Sequence, residues 1–203
     1  MSAQIENIHP EYDKTLSKLE KERLLKQRGK VVWLTGLSGA GKTTIANQLE
    51  LELYKRGFVT QILDGDIIRS GINSNLGFSV DEREENIRRV AEVSKLFVHC
   101  GIICFNSFIS PTKEIREKAK QIIGEQNFIE VFVNTSLAIC EKRDVKGLYK
   151  KARAGKIKNF TGIDSPYEKP EKPDLILNSD NMTIEESVNK CLEYLLPIIS
   201  YKE

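Results

Sequence analysis

The chain has 203 residues, of which 40% are hydrophobic and 30% charged, a balance typical of a single α/β domain with a sizeable core. Its net charge of +2 argues against a general nucleic-acid-binding surface, which would be far more basic. The sequence has neither an apolar run near the roughly 20 residues that span a bilayer nor a secretory signal pattern, so we expect a cytoplasmic protein without membrane contact.

The first 29 residues are polar and rich in Lys and Glu, and we predict that residues 1–29 form an N-terminal arm. The segment from Tyr12 to Arg28 has the spacing of a short helix, with a thin apolar stripe of three leucines, Leu16, Leu19 and Leu24. Such an arm would lie on the domain or on a second subunit, and a solvated tail is the alternative.

A glycine-rich segment follows the first apolar run. Residues Gly36-Leu37-Ser38-Gly39-Ala40-Gly41-Lys42-Thr43 match the phosphate-binding pattern G-x-x-x-x-G-K-S/T, and helical spacing begins at Thr44. The glycines let backbone N–H groups wrap a phosphate, and the helix N-terminus adds its positive dipole. Lys42 can neutralise the β- and γ-phosphates, and the Thr43 hydroxyl can hold Mg²⁺. This order predicts a P-loop nucleotide-binding domain over residues 30–203.

Strand and helix patterns alternate through this domain. The predicted strands are Val31–Thr35, Val59–Leu63, Ile102–Phe105, Ile129–Val133 and Asp174–Leu177. The predicted helices are Lys42–Arg56, Asp81–Cys100, Thr112–Gly124, Ser136–Lys142 and Ile184–Ile198. Apolar strands joined by helices indicate a three-layer α/β/α fold around a mostly parallel five-stranded sheet, in which ligands bind beyond the carboxyl ends of the strands.

Polar residues follow two of the predicted strands, at the edge of the sheet where the strands have their carboxyl ends. Asp64 and Asp66 flank Gly65 after the second strand, where carboxylates can reach a phosphate-bound metal or an attacking hydroxyl. Asp-Gly-Asp is also a common surface turn, so it is a weak signal alone. The third strand ends in the polar turn Ser110-Pro111.

The next predicted helix has a capping box, with Ser79 as its cap and Glu82 three residues later. At about 100° per residue, Arg83 and Asn86 share a face with apolar side chains. We therefore expect this helix to pack in the core and to point Arg83 and Asn86 into the cleft.

A basic, glycine-punctuated segment precedes the last strand. Residues 141–160 hold eight basic side chains and two acidic ones, and a proline-bearing loop follows. Beside a phosphate loop, such a segment is expected to form a lid over phosphates, spanning about residues 143–168; a solvated basic face is the alternative.

The four cysteines show no C-x-x-C spacing, and the two histidines have no zinc-ligand spacing to them. All four lie in apolar stretches of sequence. We therefore expect four small buried thiols, at Cys100, Cys104, Cys140 and Cys191.

Together these motifs resemble the adenylyl-sulfate kinases (APS kinases) of the P-loop kinase superfamily. The resemblance runs from about Lys30 to Asn178 and rests on seven segments: Trp33–Thr43, Leu63–Asp66, Leu76–Ser79, Glu85–Arg89, Phe108–Pro111, Arg143–Arg153 and Phe160–Glu168. It implies transfer of a phosphate from ATP to the 3′-hydroxyl of adenosine 5′-phosphosulfate (APS), which yields 3′-phosphoadenosine 5′-phosphosulfate in sulfate assimilation. It also implies Mg²⁺ as cofactor and a homodimer.

The resemblance also implies residue roles. Those for ATP binding are Gly36, Leu37, Ser38, Gly39, Ala40, Gly41, Lys42, Thr43, Thr44 and Arg143. Those for the acceptor are Asp64, Arg69, Phe78, Arg83, Asn86, Ile109, Ser110, Lys146, Gly147, Leu148 and Phe160, with Phe78 and Phe160 on either side of the adenine. Asp66 and Lys42 would be catalytic, and Thr43 with Asp66 would hold the metal. The serine matching Ser110 is described in this family as a phosphoserine intermediate, although direct in-line transfer requires none.

Three other functions remain open at this stage. Another small-molecule kinase, such as a nucleoside monophosphate kinase, would share the phosphate loop and lid but use a different acceptor pocket. A GTPase is suggested only by Asp144-Val-Lys-Gly147, which matches D-x-x-G but follows a helix instead of a strand. A non-catalytic nucleotide-binding module would keep the loop without turnover.

Overall fold

A computed structural model describes residues 14–202, and five strands in this range form one sheet in the order β2-β3-β1-β4-β5. The strands are β1 (Val31–Thr35), β2 (Thr60–Asp64), β3 (Ile103–Ser107), β4 (Phe128–Asn134) and β5 (Leu175–Asn178). All four strand pairings are parallel, which confirms the predicted α/β class. All five carboxyl ends therefore meet at one edge of the sheet.

Eight α-helices lie in the described residues. They are α1 (Lys18–Leu25), α2 (Lys42–Lys55), α3 (Gly65–Ser70), α4 (Val80–His99), α5 (Lys113–Ile123), α6 (Leu137–Arg143), α7 (Leu148–Arg153) and α8 (Ile184–Ile199). None of these helices is both long and apolar enough to cross a membrane.

The central strand β1 is buried on both faces, as expected of a parallel strand covered by helices. Val32 and Leu34 belong to the core cluster shared with α2 and α8. Val31 and Trp33 belong to the cluster shared with α4 and α5. Because successive side chains point to opposite faces of a sheet, this alternation produces the three predicted layers.

The predicted strands and long helices are confirmed, with ends that differ by at most two residues. Two short helices, α3 and α7, have no counterpart among the predictions. Each spans only six residues, so hydrophobic periodicity cannot reveal them. Both depend on aspartates instead: Asp64 caps α3, and Asp144 accepts hydrogen bonds from the first turn of α7.

The described part of the N-terminal arm contacts its own domain, one of the predicted placements, but not through the leucine stripe. Residues 1–13 of the predicted arm, including Tyr12, lie outside the described residues. The leucine stripe does not face the domain, since Leu16, Leu19 and Leu24 are 65%, 55% and 80% exposed. Glu22 is buried instead, and its Oε1 accepts a hydrogen bond from the Gly29 backbone N–H at 2.8 Å.

A buried glutamine fixes the end of the arm to the domain. The Gln27 side chain is fully buried and donates from Nε2 to the carbonyl oxygens of Val59 and Gly101 at 2.9 and 2.8 Å. Its Oε1 accepts from the Val59 N–H at 2.7 Å. The described part of the arm therefore lies on its own domain.

The cysteine prediction is correct for three positions and wrong for one. Cys104, Cys140 and Cys191 are buried, and burial raises the pKa of Cys104 and of Cys191 to about 12. Cys100 is exposed because it follows the last residue of α4 at the protein surface.

Candidate active site

The phosphate loop connects β1 to α2 at the carboxyl edge of the sheet. Gly36, Gly39 and Gly41 have φ angles of 154°, 75° and 106°, which other residues rarely adopt. A Cβ atom on Gly36 would also lie 2.6 Å from the Val133 carbonyl oxygen. The loop therefore requires glycine for its backbone conformation and for its close packing on β4.

Lys42 is buried in this loop. Its Nζ donates to the carbonyl oxygens of Gly36 and Leu37 at 2.9 and 2.8 Å. Burial lowers the pKa of Lys42 to about 8, and the negative charge of nearby Asp64 opposes this shift. A phosphate in the loop would offer this ammonium a charged acceptor, which forms a stronger hydrogen bond than a carbonyl does.

Thr43 lies beside Asp64. Its Oγ1 donates to Asp64 Oδ2 at 2.7 Å and is 3.0 Å from the Ser107 hydroxyl. The other oxygen of Asp64 accepts from the Asp66 N–H at 2.9 Å. Ser107 was not among the predicted site residues, although it pairs with Asp64 in the β2–β3 register at the end of its strand.

This group of oxygen atoms fits Mg²⁺. Magnesium prefers hydroxyl, carboxylate and phosphate oxygens and usually binds through one or two carboxylates together with substrate phosphates. Thr43 and Asp64 supply such oxygens, and Asp66 adds an exposed carboxylate after the same strand. Residues 14–202 contain no cluster of three or more His, Cys, Asp or Glu side chains arranged for a metal ion. The arrangement therefore suits a metal carried on nucleotide phosphates.

Asp66 is the exposed carboxylate of the site. Its side chain is 73% exposed, and it forms an ion pair with Lys146 from the predicted lid. This contact brings the lid to the carboxylate that was predicted to act on the acceptor.

Arg69 and Phe78, two of the predicted acceptor-binding residues, lie against each other. Arg69 Nη1 donates to the carbonyl oxygens of Leu76 and Gly77 at 3.1 and 2.7 Å. Its guanidinium lies 4.4 Å from the centre of the Phe78 ring, a cation–π distance. Phe78 is nevertheless 63% exposed, which leaves ring surface for a planar ligand.

Arg83 joins this region to the lid. Its Nε donates to the Phe78 carbonyl at 3.0 Å, Nη1 to Thr161 Oγ1 at 3.0 Å and Nη2 to the Asn159 carbonyl at 2.5 Å. Thr161 and Asn159 were not predicted as site residues, because no local pattern marks a contact between segments so far apart in the sequence.

Asn86 is held by a second buried asparagine. Asn73 Nδ2 donates to Asn86 Oδ1 at 2.9 Å, and both side chains are buried. Asn86 thus lies on the core side of α4, one turn after Arg83; the helical spacing predicted it to point into the cleft, but it is not among the residues that line the cleft beside Phe78.

A cleft of about 210 Å³ opens beside Phe78 and Arg83. Its other lining residues are Val80, Pro111, Thr112, Ile115, Asn159, Ser165 and Pro166. Phe160 does not line this cleft: its ring meets Tyr149 edge-on, with 5.0 Å between centroids, and packs on the core. The two aromatic residues predicted to flank an adenine therefore differ in exposure: Phe78 is exposed, whereas Phe160 packs on the core.

Ser110 is buried beneath the turn that follows β3. Its Oγ accepts a hydrogen bond from Trp33 Nε1 at 3.0 Å and donates to Thr35 Oγ1 at 3.0 Å. Only 2% of the residue is exposed. In this arrangement the hydroxyl holds the Ile109–Pro111 turn in place and is not presented to the phosphate loop.

The lid residues contact the phosphate loop from the other side. Tyr149 donates from its hydroxyl to the Ser38 carbonyl at 2.9 Å, and Arg143 Nη1 lies 3.3 Å from the Gly39 carbonyl. Asp144 accepts from the N–H groups of Tyr149 and Lys150 at 2.9 and 3.0 Å. The D-x-x-G match at this position therefore links α6 to α7: Asp144 binds the first turn of α7, and Gly147 is the N-cap residue. Gly147 and Leu148 form the start of α7.

Comparison with known proteins identifies close relatives. A family model described as adenylylsulphate kinase matches residues 28–178. An adenylyl-sulfate kinase of Bacteroides fragilis is 60% identical over 197 residues, which are 97% of this chain and 98% of that protein. The enzyme of the same name from Clostridium acetobutylicum is 53% identical over 180 residues, 89% and 90% of the two chains.

Solved structures agree with this result. An APS kinase from Mycobacterium tuberculosis, determined in complex with AMPPNP and APS, superposes with a TM-score of 0.81 at 46% identity. The match covers 83% of this chain and 98% of that one. A hexameric APS kinase from Thiobacillus denitrificans matches with a TM-score of 0.66 at 30% identity, over 88% of this chain and 31% of the other.

Proposed function

The chain belongs to the adenylylsulphate kinase family, and from this premise we propose how its own residues transfer the γ-phosphate of ATP to the 3′-hydroxyl of APS. Its activity is that of an ATP-dependent adenylyl-sulfate kinase. The observation that carries the mechanism is the meeting of three groups at one sheet edge: the phosphate loop, the exposed carboxylate of Asp66 and the two arginines Arg69 and Arg83.

The donor half of the reaction uses the phosphate loop. Backbone N–H groups of residues 36–43 and the N-terminus of α2 bind the ATP phosphates, and Lys42 neutralises charge on the β- and γ-phosphates. Thr43 and the two aspartates would hold Mg²⁺, which when bound neutralises phosphate charge. Arg143, which reaches the Gly39 and Ala40 carbonyls, closes this half from the lid.

The acceptor half requires a base and cations. Asp66 would orient the 3′-hydroxyl and take its proton, because it lies two residues after Asp64 at the sheet edge and is open to solvent. Arg69 and Arg83 would bind the phosphosulfate, since planar guanidinium groups pair well with such anions. Asn86 adds an amide, and the open face of Phe78 would stack on the adenine.

Lys146 of the lid would release Asp66 during the cycle. In the structure Lys146 is paired with Asp66, so the acceptor hydroxyl and Lys146 compete for the same carboxylate. A freed Lys146 can turn to the transferring phosphate and add positive charge there.

We propose direct in-line transfer without a phosphoserine. The burial of Ser110 and the two hydrogen bonds of its hydroxyl support a structural role for this residue. Ser110 would then shape the acceptor pocket through the Ile109–Pro111 turn.

We also propose that the chain acts as a homodimer. The exposed leucines of the arm, Leu16, Leu19 and Leu24, supply apolar surface that a second copy would cover. Sedimentation velocity over a range of concentrations tests this: a single monomeric species throughout would rule it out.

The identity of the acceptor is tested by measuring ADP release from Mg-ATP in the presence of APS. Parallel assays contain AMP, CMP or UMP at the same concentration in place of APS. We expect turnover with APS alone. Turnover with a nucleoside monophosphate would indicate the alternative kinase, and ATP binding without turnover on any acceptor would indicate a binding module.

A further inference from the structure

A buried ion pair lies beneath the acceptor side of the site and takes no part in the reaction described above. Arg116 Nε on α5 lies 2.9 Å from Glu130 Oε1 on β4, and the two side chains are 5% and 18% exposed. Burial raises the pKa of Glu130, which opposes its ionisation. Buried ion pairs add little net stability, because desolvation offsets their attraction. Stability is therefore a poor explanation for this pair.

The Arg116 guanidinium also holds the turn that carries Ile109 and Ser110. Its Nη1 donates to the Ser110 carbonyl oxygen at 2.8 Å. Ser110 has a φ of 39°, a left-handed backbone conformation that strains a non-glycine residue. Several hydrogen bonds hold the turn in this conformation; among them, Arg116 binds its backbone and Trp33 binds the Ser110 hydroxyl.

The C-terminal end of the lid lies on the same turn. The Tyr167 hydroxyl is 2.9 Å from Thr35 Oγ1, which itself donates to the Ile109 carbonyl at 2.8 Å. The Arg116 guanidinium lies 5.9 Å from the centre of the Tyr167 ring. The Glu168 N–H donates to the Pro111 carbonyl at 2.8 Å. One buried arginine therefore contacts both the acceptor turn and the end of the lid.

We propose that Arg116 is a positioning residue: paired with Glu130, it fixes the Ile109–Pro111 turn and docks Tyr167 on it, so that the acceptor pocket is formed before APS binds. The inference rests on the proposed function, in which the Ile109–Pro111 turn shapes that pocket. It requires arginine because one planar group faces a carboxylate, a carbonyl and an aromatic ring at once, which the single ammonium of lysine does not.

The first test compares the KM values for the two substrates in Arg116→Lys and Tyr167→Phe. We expect the KM for APS to rise tenfold or more in Arg116→Lys. In Tyr167→Phe, loss of one hydrogen bond predicts a rise of about 3–10-fold. The KM for ATP should stay within twofold of the wild-type value in both variants. The control is Arg56→Lys, which alters an exposed ion pair at the end of α2, and its KM values for APS and ATP should both stay within twofold of wild type. Equal rises for APS and ATP would overturn the inference.

A double variant separates positioning from stability. Arg116→Met with Glu130→Leu replaces the pair by apolar side chains, a change that often preserves or raises stability. We expect a Tm close to that of the wild type together with a raised KM for APS, because the Ser110 carbonyl has lost its donor. A wild-type KM for APS in this variant would refute the positioning role.

A third readout does not depend on activity. Trp33 is the sole tryptophan of the chain and donates to Ser110, so its fluorescence reports on the turn. We expect a changed emission maximum or acrylamide quenching in Arg116→Lys and none in Arg56→Lys; unchanged emission in Arg116→Lys would overturn the inference. If the wild type fails to phosphorylate APS, the proposed function fails, and the Trp33 signal still decides whether Arg116 holds the turn.

Discussion

Lys42 and Asp66, the charged side chains closest to the proposed transfer, lie in opposite environments. Lys42 is buried and bound to two backbone carbonyls, whereas Asp66 is exposed and paired with a lid lysine. On the donor side, the phosphate loop thus holds the Lys42 ammonium in place through its own carbonyl oxygens. On the acceptor side, the carboxylate is paired with an exposed lysine, and exposed ion pairs contribute little stability, so this contact can be exchanged for another at low cost.

At the residue scale, Asp66→Asn should abolish most turnover and leave ATP binding intact. The amide keeps the size of the side chain but cannot accept the hydroxyl proton, and loss of a general base lowers kcat by about 10²–10⁴-fold. The measurements are kcat with APS and the Kd of ATP by calorimetry. Asp81→Asn, an exposed carboxylate in the first turn of α4, is the control. A kcat within twofold of wild type would exclude Asp66 as the base.

Lys42→Met should stabilise the protein and remove its response to ATP. Because burial lowers the folded-state pKa of Lys42 to about 8 from the usual 10.5, the unfolded state binds more protons between these values. Wild-type stability should therefore rise with pH across this window, and at pH 7 the charged lysine carries its full burial penalty. Methionine removes that penalty and should raise Tm by about 2–4 °C for each kcal/mol relieved.

Calorimetry at pH 7 and pH 10 checks this. The Tm advantage of Lys42→Met should shrink towards pH 10, and ATP should no longer raise its Tm. The exposed Lys55→Met on the same helix is the control. A variant Tm below that of the wild type at pH 7 would show that the two carbonyl hydrogen bonds outweigh the burial of the charge.

At the scale of the elements, short capped helices shape the site. Both α3 and α7 span six residues and depend on aspartates at their N-terminal ends, Asp64 and Asp144. Neither helix would be stable alone, because isolated helices of this length are marginal in water. Their conformation is therefore set by side-chain hydrogen bonds at the sheet edge, where the reaction takes place.

Asp144→Ala should weaken the lid without changing the metal requirement. Loss of a capping side chain costs about 0.5–2 kcal/mol, so we expect kcat/KM for APS to fall several-fold. In Asp144→Asn, which keeps one acceptor oxygen, kcat/KM for APS should fall less than in Asp144→Ala. A titration of activity with Mg²⁺ should give the same midpoint for all three proteins. A large increase in the Mg²⁺ needed by Asp144→Ala would instead indicate a metal ligand.

The N-terminal arm should matter for stability and not for catalysis. Gln27→Leu leaves the Val59 N–H and the Gly101 carbonyl without partners, at about 1–3 kcal/mol for each group, whereas the Val59 carbonyl still accepts from the Ile103 N–H. We expect Tm to fall by about 10 °C while kcat below the transition is unchanged. Gln48→Leu, on an exposed face of α2, serves as the matched control. A fall of less than 2 °C would show that Gln27 does not anchor the arm.

At the scale of the whole molecule, the sequence was most informative where one interaction dominates. The strand Val31–Thr35 and the glycine loop were predictable because full burial and positive φ angles leave few residue choices. The Arg83–Thr161 contact and the exposure of the leucine stripe on the arm could not be predicted, because both depend on how distant segments pack. The buried role of Ser110 likewise needed the position of Trp33.

The most direct test of the account is the site of phosphorylation on the product formed from ATP and APS, determined by ³¹P NMR and mass spectrometry. We predict a single new phosphate on the 3′-oxygen, and no ADP release with an APS analogue that lacks the 3′-hydroxyl. A new phosphate at another position, or undiminished ADP release with the 3′-deoxy analogue, would contradict the assigned chemistry.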